Sequence, residues 1–261
     1  MRIAICMKQV PFSSNGRMDE ETGSVIRTTT SVANPADLVG LEYAIRMKEA
    51  CNCHVDVFTM GPEKAEDVLK TAYAFGSDRG FLVNDKAFAG SDILTTSYVL
   101  SQAMKLKGPY DLVICGSHTT DGDTGLVGSA LAEWMRIPYF DRVRNLSDIT
   151  ENTIRIERIT EEKKICMDVL LPCVLSVHEK AVVPRIPSLK AKLHSKKQES
   201  IRISHAELSD QNMEHYGFKG SATKVKKIYS PRQNRKRELR RGTKEEIASM
   251  IIEILEKKEI I

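Results

Sequence analysis

The chain has 261 residues, 41% of them hydrophobic and 28% charged, with a formal net charge of +4, a composition that supports a folded core and argues against disorder. No apolar run approaches the roughly 18 residues of a membrane span, and MRIAICMKQV has no long apolar segment before a small-residue cleavage site. No membrane insertion is therefore expected, and the chain reads as cytoplasmic with its six cysteines as reduced thiols.

Arg2–Met7 is a continuous apolar run of strand length, ending at Cys6-Met7-Lys8. Asn34-Pro35 precedes a helical pattern over Ala36–Ala50, with Asn34 as the cap candidate. Cys51-Asn52-Cys53-His54 is too short and too isolated for a zinc site and reads as a turn before a strand. Val55–Met60 is the second strand and stops at Gly61-Pro62; Lys64–Phe75 is a helix that Gly76 ends. Gly80–Val83 and Leu112–Cys115 are further strands, Ile93–Lys105 a helix capped from Ser91-Asp92, and Leu126–Met135 a fourth helix. Thr153–Arg158 and Ile165–Val177 then read as a hairpin turning at Glu161-Glu162-Lys163-Lys164.

This alternation predicts an α/β fold, a doubly wound, mostly parallel, Rossmann-like sheet for an adenine nucleotide, with an added hairpin and a C-terminal extended arm. The expected divisions are a nucleotide-binding domain over 1–178, an arm over 179–241 and a C-terminal helix within 242–261, carrying Ile247, Met250, Ile251, Ile254 and Leu255 as its apolar stripe. The arm holds 17 Lys and Arg against 6 Asp and Glu, a local excess of +11, and little periodicity, so it is expected to lie on something other than its own core.

In an open parallel sheet ligands sit at the carboxyl ends of the strands, near the reversal of strand order. Cys6-Met7-Lys8, Asn34-Pro35, Met60-Gly61-Pro62 and Gly116–Gly128 all fall at such ends. The last stretch fits neither a P-loop nor G-x-G-x-x-G. It offers hydroxyls at Ser117, Thr119, Thr120 and Thr124, close backbone approach at Gly122, Gly125 and Gly128, and a helix N-terminus for an anion. It has no lysine and two aspartates: Asp123 or Thr124 is a helix-cap candidate, and Asp121 an acceptor for turn amides or a ribose hydroxyl. A nucleotide loop and a plain Asx-rich turn that caps a helix are the two readings; a metal at Asp121-Gly122-Asp123 lacks a third nearby carboxylate.

These residues carry a resemblance. Cys6-Met7-Lys8-Gln9-Val10, Asn34-Pro35, Met60-Gly61-Pro62, Gly76–Gly80, Cys115–Gly128, Pro184–Leu189 and Gly220–Val225 are similar to the beta subunit of electron transfer flavoprotein, over nearly the whole chain. The resemblance implies a heterodimer with an alpha subunit that carries a redox FAD. It also implies a second adenine nucleotide held by Cys6, Asn34, Met60 and the loop Gly116, Ser117, His118, Thr119, Thr120, Asp121, Gly122, Asp123, Thr124, Gly125, Leu126 and Val127. That nucleotide is AMP in ordinary members and FAD, reduced by NADH, in electron-bifurcating members; Asp121–Thr124 followed by Val127-Gly128 resembles the bifurcating pattern. No catalytic side chain is expected, since the flavin does the electron chemistry.

The resemblance further implies a recognition loop near 184–197 whose exposed leucine docks an acyl-CoA dehydrogenase-type flavoenzyme, here Leu189 with Lys190 and Lys192 beside it, and ferredoxin or flavodoxin as a low-potential acceptor. Leu189 tucked into its own domain is the other reading. His118 departs from the family's usual glutamine, Ile186 from a common tyrosine and Ala222 from a proline. A nucleic-acid-binding reading of the basic arm meets sparse aromatics and no binding motif, and no nucleic acid is expected. A nucleotide hydrolase lacks its P-loop lysine.

Overall fold

The computed structural model describes residues 1–12, 31–160, 163–226, 239 and 241–259. The chain divides into two units, Met1–Lys226 and Lys227–Ile261. Glu161 and Glu162 of the expected turn lie outside the described residues, as do residues 227–238 and 240 of the expected arm.

In the first unit the strands are β1 (Arg2–Cys6), β2 (Gln9–Pro11), β3 (Ser31–Ala33), β4 (His54–Met60), β5 (Arg79–Val83), β6 (Leu112–Gly116), β7 (Tyr139–Ser147), β8 (Thr153–Ile159), β9 (Lys164–Leu170), β10 (Cys173–Val177) and β11 (Ile201–Ile203). The helices are α1 (Pro35–Cys51), α2 (Glu66–Phe75), α3 (Ile93–Lys107), α4 (Val127–Met135), α5 (Leu189–Ser195) and the single turn α6 (Gly217–Gly220). Nine strands form one sheet in the order β11-β5-β4-β1-β6-β10-β7-β8-β9, parallel from β11 to β7. From β1 the chain winds outward to β4 and β5, then returns to place β6 on the other side of β1. Strand order therefore reverses between β1 and β6, where Cys6 and Gly116 end their strands.

The two-residue period of the strands sorts the core. Ile3, Ile5, Val55, Val57, Leu112 and Ile114 pack under α1 and α2, while Ala4, Phe58, Val113 and Cys115 pack under α3 and α4. The expected doubly wound sheet is present. Gly76, at φ +113°, ends α2 as the sequence indicated, and Asp92 caps α3 by accepting the Thr95 N–H at 3.1 Å.

The expected antiparallel hairpin is present, β8 pairing with β9, but its second arm is shorter than Ile165–Val177. Ile165–Val177 is two strands, parted at Leu171-Pro172. Cys173–Val177 is buried at every residue and so belongs inside the parallel sheet, between β6 and β7. β9 alternates exposed and partly buried residues and lies at the edge, completing an antiparallel β7-β8-β9 meander.

The basic stretch also divides. Residues up to 226 belong to the first unit: β11 adds to the sheet beside β5, and Tyr216 is buried against Phe88 and Tyr98. Arg185 reaches back to Glu42 and Glu49 of α1. In the second unit α7 (Lys244–Lys257) begins at a capping box, where Thr243 Oγ1 accepts the Glu246 N–H and Glu246 accepts the Thr243 N–H.

Candidate functional site

A cavity of about 750 Å³ opens at the carboxyl ends of β1, β4, β5 and β6. Of the residues singled out in the sequence, Cys6, Met60, Gly116, His118, Thr119 and Asp121 line it, with Gly122, Thr124, Gly125 and Val127. Ser117, Thr120, Asp123 and Leu126 belong to the same loop but are absent from that lining, and Leu126 is exposed. Leu189, Lys190 and Lys192 lie on α5, outside the cavity lining, and all three are exposed.

Of the two capping expectations, that for α1 holds in position only and that for α4 is overturned. Asn34 occupies the cap position of α1, but its side chain makes no cap bond; only its carbonyl accepts the Asp37 and Leu38 N–H groups. The fully buried side chain anchors the glycine loop instead. Its amide donates to the His118 carbonyl at 2.8 Å, and its oxygen accepts the Thr120 N–H at 3.4 Å. Nor does Asp123 or Thr124 cap α4: Leu126 holds the cap position, with no side-chain bond. Asp123 turns the loop at φ +48°, its N–H bonded to the Thr119 carbonyl at 3.0 Å. Among the described residues no side chain caps the first N–H groups of α4.

Loop shape follows from its glycines. Gly125 sits at φ +63°, and a Cβ there would stand 2.8 Å from the Ser117 carbonyl. Gly122 differs: a Cβ would meet only Thr119 Oγ1, at 3.7 Å. Among the described residues the packing leaves room for a side chain at Gly122, on the cavity wall, and none is there.

The missing lysine comes from another element. Lys8, just past β1, places its ammonium 2.7 Å from Asp121. Partial burial works to raise the Asp121 carboxyl, but Lys8 and the Thr119 hydroxyl hold it below its ordinary value. Asp37, in the first turn of α1, is 5% exposed and also lines the cavity. Burial pushes it up to about 7, against the Asn34 side chain and the backbone N–H groups of Lys8, at 2.8 Å, and Gly116. A Cβ on Gly116 would collide with Asp37 Oδ1 and stand 2.9 Å from the α1 backbone.

Phe58, Phe88 and Leu100 supply an apolar part of the wall. The Cys6 thiol is pushed well up by its hydrogen bond with Cys115 and by burial, so it stays neutral and is no nucleophile. His118 Nδ1 lies 2.9 Å from Ser117 Oγ, and its Nε2 lies 3.5 Å from Glu179.

Sequence reasoning missed the wall from Val83 to Ile93, together with Thr96 and Leu100 of α3. The available signal was its place at the carboxyl end of β5, where Asp85 accepts the Ala87 and His205 N–H groups at 2.9 and 3.0 Å. Asp37 was missed because an acid in a first helical turn reads as a solvated partner of the helix dipole. Among the described residues no helix is long and apolar enough to cross a membrane, and no group of three or more His, Cys, Asp or Glu is placed to hold a metal ion.

Comparison with known proteins agrees with this geometry. Residues 22–208 match the electron transfer flavoprotein domain family. The chain is 35% identical over 262 residues to the electron transfer flavoprotein subunit beta of Thermoanaerobacterium thermosaccharolyticum, covering both chains fully. It is 34% identical over 239 residues to protein FixA of Sinorhizobium fredii, covering 88% of this chain and 84% of that one. It is 30% identical over 271 residues to the acryloyl-CoA reductase electron transfer subunit gamma of Anaerotignum propionicum, again over the full length of both.

Proposed function

The chain belongs to the electron transfer flavoprotein family, as a beta subunit, and on that footing we propose that its cavity binds FAD for flavin-based electron bifurcation. Beta subunits of this family form heterodimers with an alpha subunit. In this reading the chain works in the cytoplasm, receives electrons from NADH, and passes them towards an acyl-CoA dehydrogenase-type flavoenzyme and a low-potential acceptor such as ferredoxin or flavodoxin. Likeness to a subunit named for an acryloyl-CoA reductase supports the first acceptor class.

The observation that carries the FAD reading is the cavity at the β1/β6 reversal. At about 750 Å³ it lies in the upper part of the usual range for small-molecule sites, and Gly122 leaves its wall open where the fold itself would admit a side chain. The amides and hydroxyls of Thr119 and Thr124 would hold phosphates, with Lys8 as the nearby positive charge and Asp121 as acceptor for a ribose hydroxyl. Asn34 fixes the loop in place. Cys6, Phe58, Phe88 and Leu100 keep water from the floor. Bound there, the isoalloxazine supplies the one- and two-electron chemistry that no side chain here provides.

Leu189 is the docking anchor in this reading, exposed on α5 with Lys190 and Lys192 beside it, suited to an acidic groove on the partner enzyme. Arg185 supports the start of that segment through Glu42 and Glu49.

The test is to co-express the chain with its alpha subunit, purify the complex, release the nucleotides and count them by chromatography. About two FAD per heterodimer is the expected result. One FAD with one AMP would make this chain a structural and docking subunit and overturn the FAD assignment.

A further inference from the structure

Asp37 closes the point where strand order reverses. The Lys8 N–H reaches its carboxyl from the β1 side at 2.8 Å, and the Gly116 N–H from the β6 side. Gly116 has no side chain because Asp37 Oδ1 fills that space. The carboxyl is 5% exposed, and it lines the cavity. Among the described residues no Lys or Arg nitrogen makes an ion pair with it, since the Lys8 ammonium turns to Asp121. A buried carboxylate held by N–H dipoles and by the field of Lys8, whose ammonium is shared with Asp121, tolerates its charge while the space beside it carries no other negative charge.

We propose that Asp37 is the proton-binding group of the cavity, taking up a proton when an anionic adenine nucleotide enters. This rests on the nucleotide reading above. Phosphates bring negative charge into a weakly screened space, and like charges there drive the buried carboxyl to its neutral form. The neutral group keeps an oxygen for the N–H donors and gains an O–H to donate. Burial already pushes Asp37 up to about 7, so added negative charge moves its titration above neutrality, where it can be read.

The other groups facing this corner are Cys6 and Lys8 from β1, Asn34 before α1, Cys115 from β6, and His118 and Asp121 from the loop. Cys6 is held neutral by its hydrogen bond with Cys115 and by burial. Asp121 keeps its charge beside Lys8. His118 is the competitor, because its imidazole lines the same cavity.

The experiment is calorimetric titration of AMP into the heterodimer of the full chain and its alpha subunit, freed of nucleotide, in buffers of different ionisation heat between about pH 7 and 9. The expected result is an uptake approaching about one proton per AMP, with affinity falling by up to about tenfold per pH unit. Asp37→Asn removes both effects and His118→Gln keeps both. If the asparagine variant does not fold, the wild type and His118→Gln decide between them. AMP binding without proton uptake, or uptake lost in His118→Gln, overturns the assignment to Asp37. No AMP binding anywhere in the range overturns the nucleotide reading itself, and Asp37's role with it.

Discussion

At the amino ends of the strands, Asp56 of β4 is fully buried with its partners complete. Arg79 reaches it at 2.9 and 2.6 Å, Arg2 at 3.2 Å, the Tyr110 hydroxyl at 2.6 Å and His54 at 2.9 Å. At the carboxyl ends, Asp37 is nearly as buried but has no ion pair among the described residues. Burial works to raise both carboxyls; at Asp56, Arg79 and Tyr110 more than offset it, whereas at Asp37 burial wins. One end of the sheet is an ionic lock and the other is left electrostatically open. The open end is the one with the cavity, so incomplete pairing of a buried charge marks the functional end better than burial or charge does alone.

The largest expected effect breaks the lock. Asp56→Ala leaves Arg2, Arg79 and Tyr110 without their acceptor and should cost about 3–5 kcal/mol in denaturant unfolding; a loss below about 1 kcal/mol would erase the contrast. At the other end Asp37→Asn should stabilise the protein at pH 8, by up to about 4 kcal/mol, by less than half of that at pH 5, and by little at pH 3. The sign follows from the raised folded pKa. Between the unfolded value near 4 and the folded value of about 7 the native state binds the extra proton, so stability falls as pH rises through that window. Asp56, held below its ordinary value, works oppositely: its contribution is complete above the unfolded pKa and is lost as pH falls through the lower folded one. Melting temperatures of the two variants against pH should therefore diverge in opposite directions.

Gly116→Ala sharpens the comparison from the backbone side. Its Cβ collides with Asp37 and crowds the α1 backbone, so a loss of about 1–3 kcal/mol is expected, with weakened nucleotide retention. The smallest change in stability belongs to Lys8→Ala. The Lys8–Asp121 pair is partly exposed at both members, so unfolding should move by less than about 1 kcal/mol. Nucleotide affinity should drop and lose part of its salt dependence, measured by titration at low and high salt.

Much of the sheet was legible because its buried strands are continuous apolar runs between helices of regular period. β10 was not legible as a separate strand, since Ile165–Val177 is apolar enough to read as one run and only burial on both faces separates Cys173–Val177 from β9. β11 was hidden for a different reason: Ile201–Ile203 is too short to carry a period, and pairing with β5 is what makes it a strand. Within the site, the Gly116–Val127 loop was legible from glycine and hydroxyl spacing. The destinations of its polar partners were not: Asn34 reads as a helix cap and serves the loop, while Lys8 reads as the end of a strand and pairs with Asp121.

The sequence by itself determined the alternation of strands and helices, the glycine loop at a strand end and the family resemblance, because these rest on neighbours a few residues apart. Only the tertiary structure decided which buried aspartate is paired and which is not. Asp37 meets Gly116, and Asp56 meets Arg2 and Tyr110, across distances in sequence that no local period spans. Charge pairing is set by which strands lie side by side, and that order is fixed by how the helices bury both faces of the sheet.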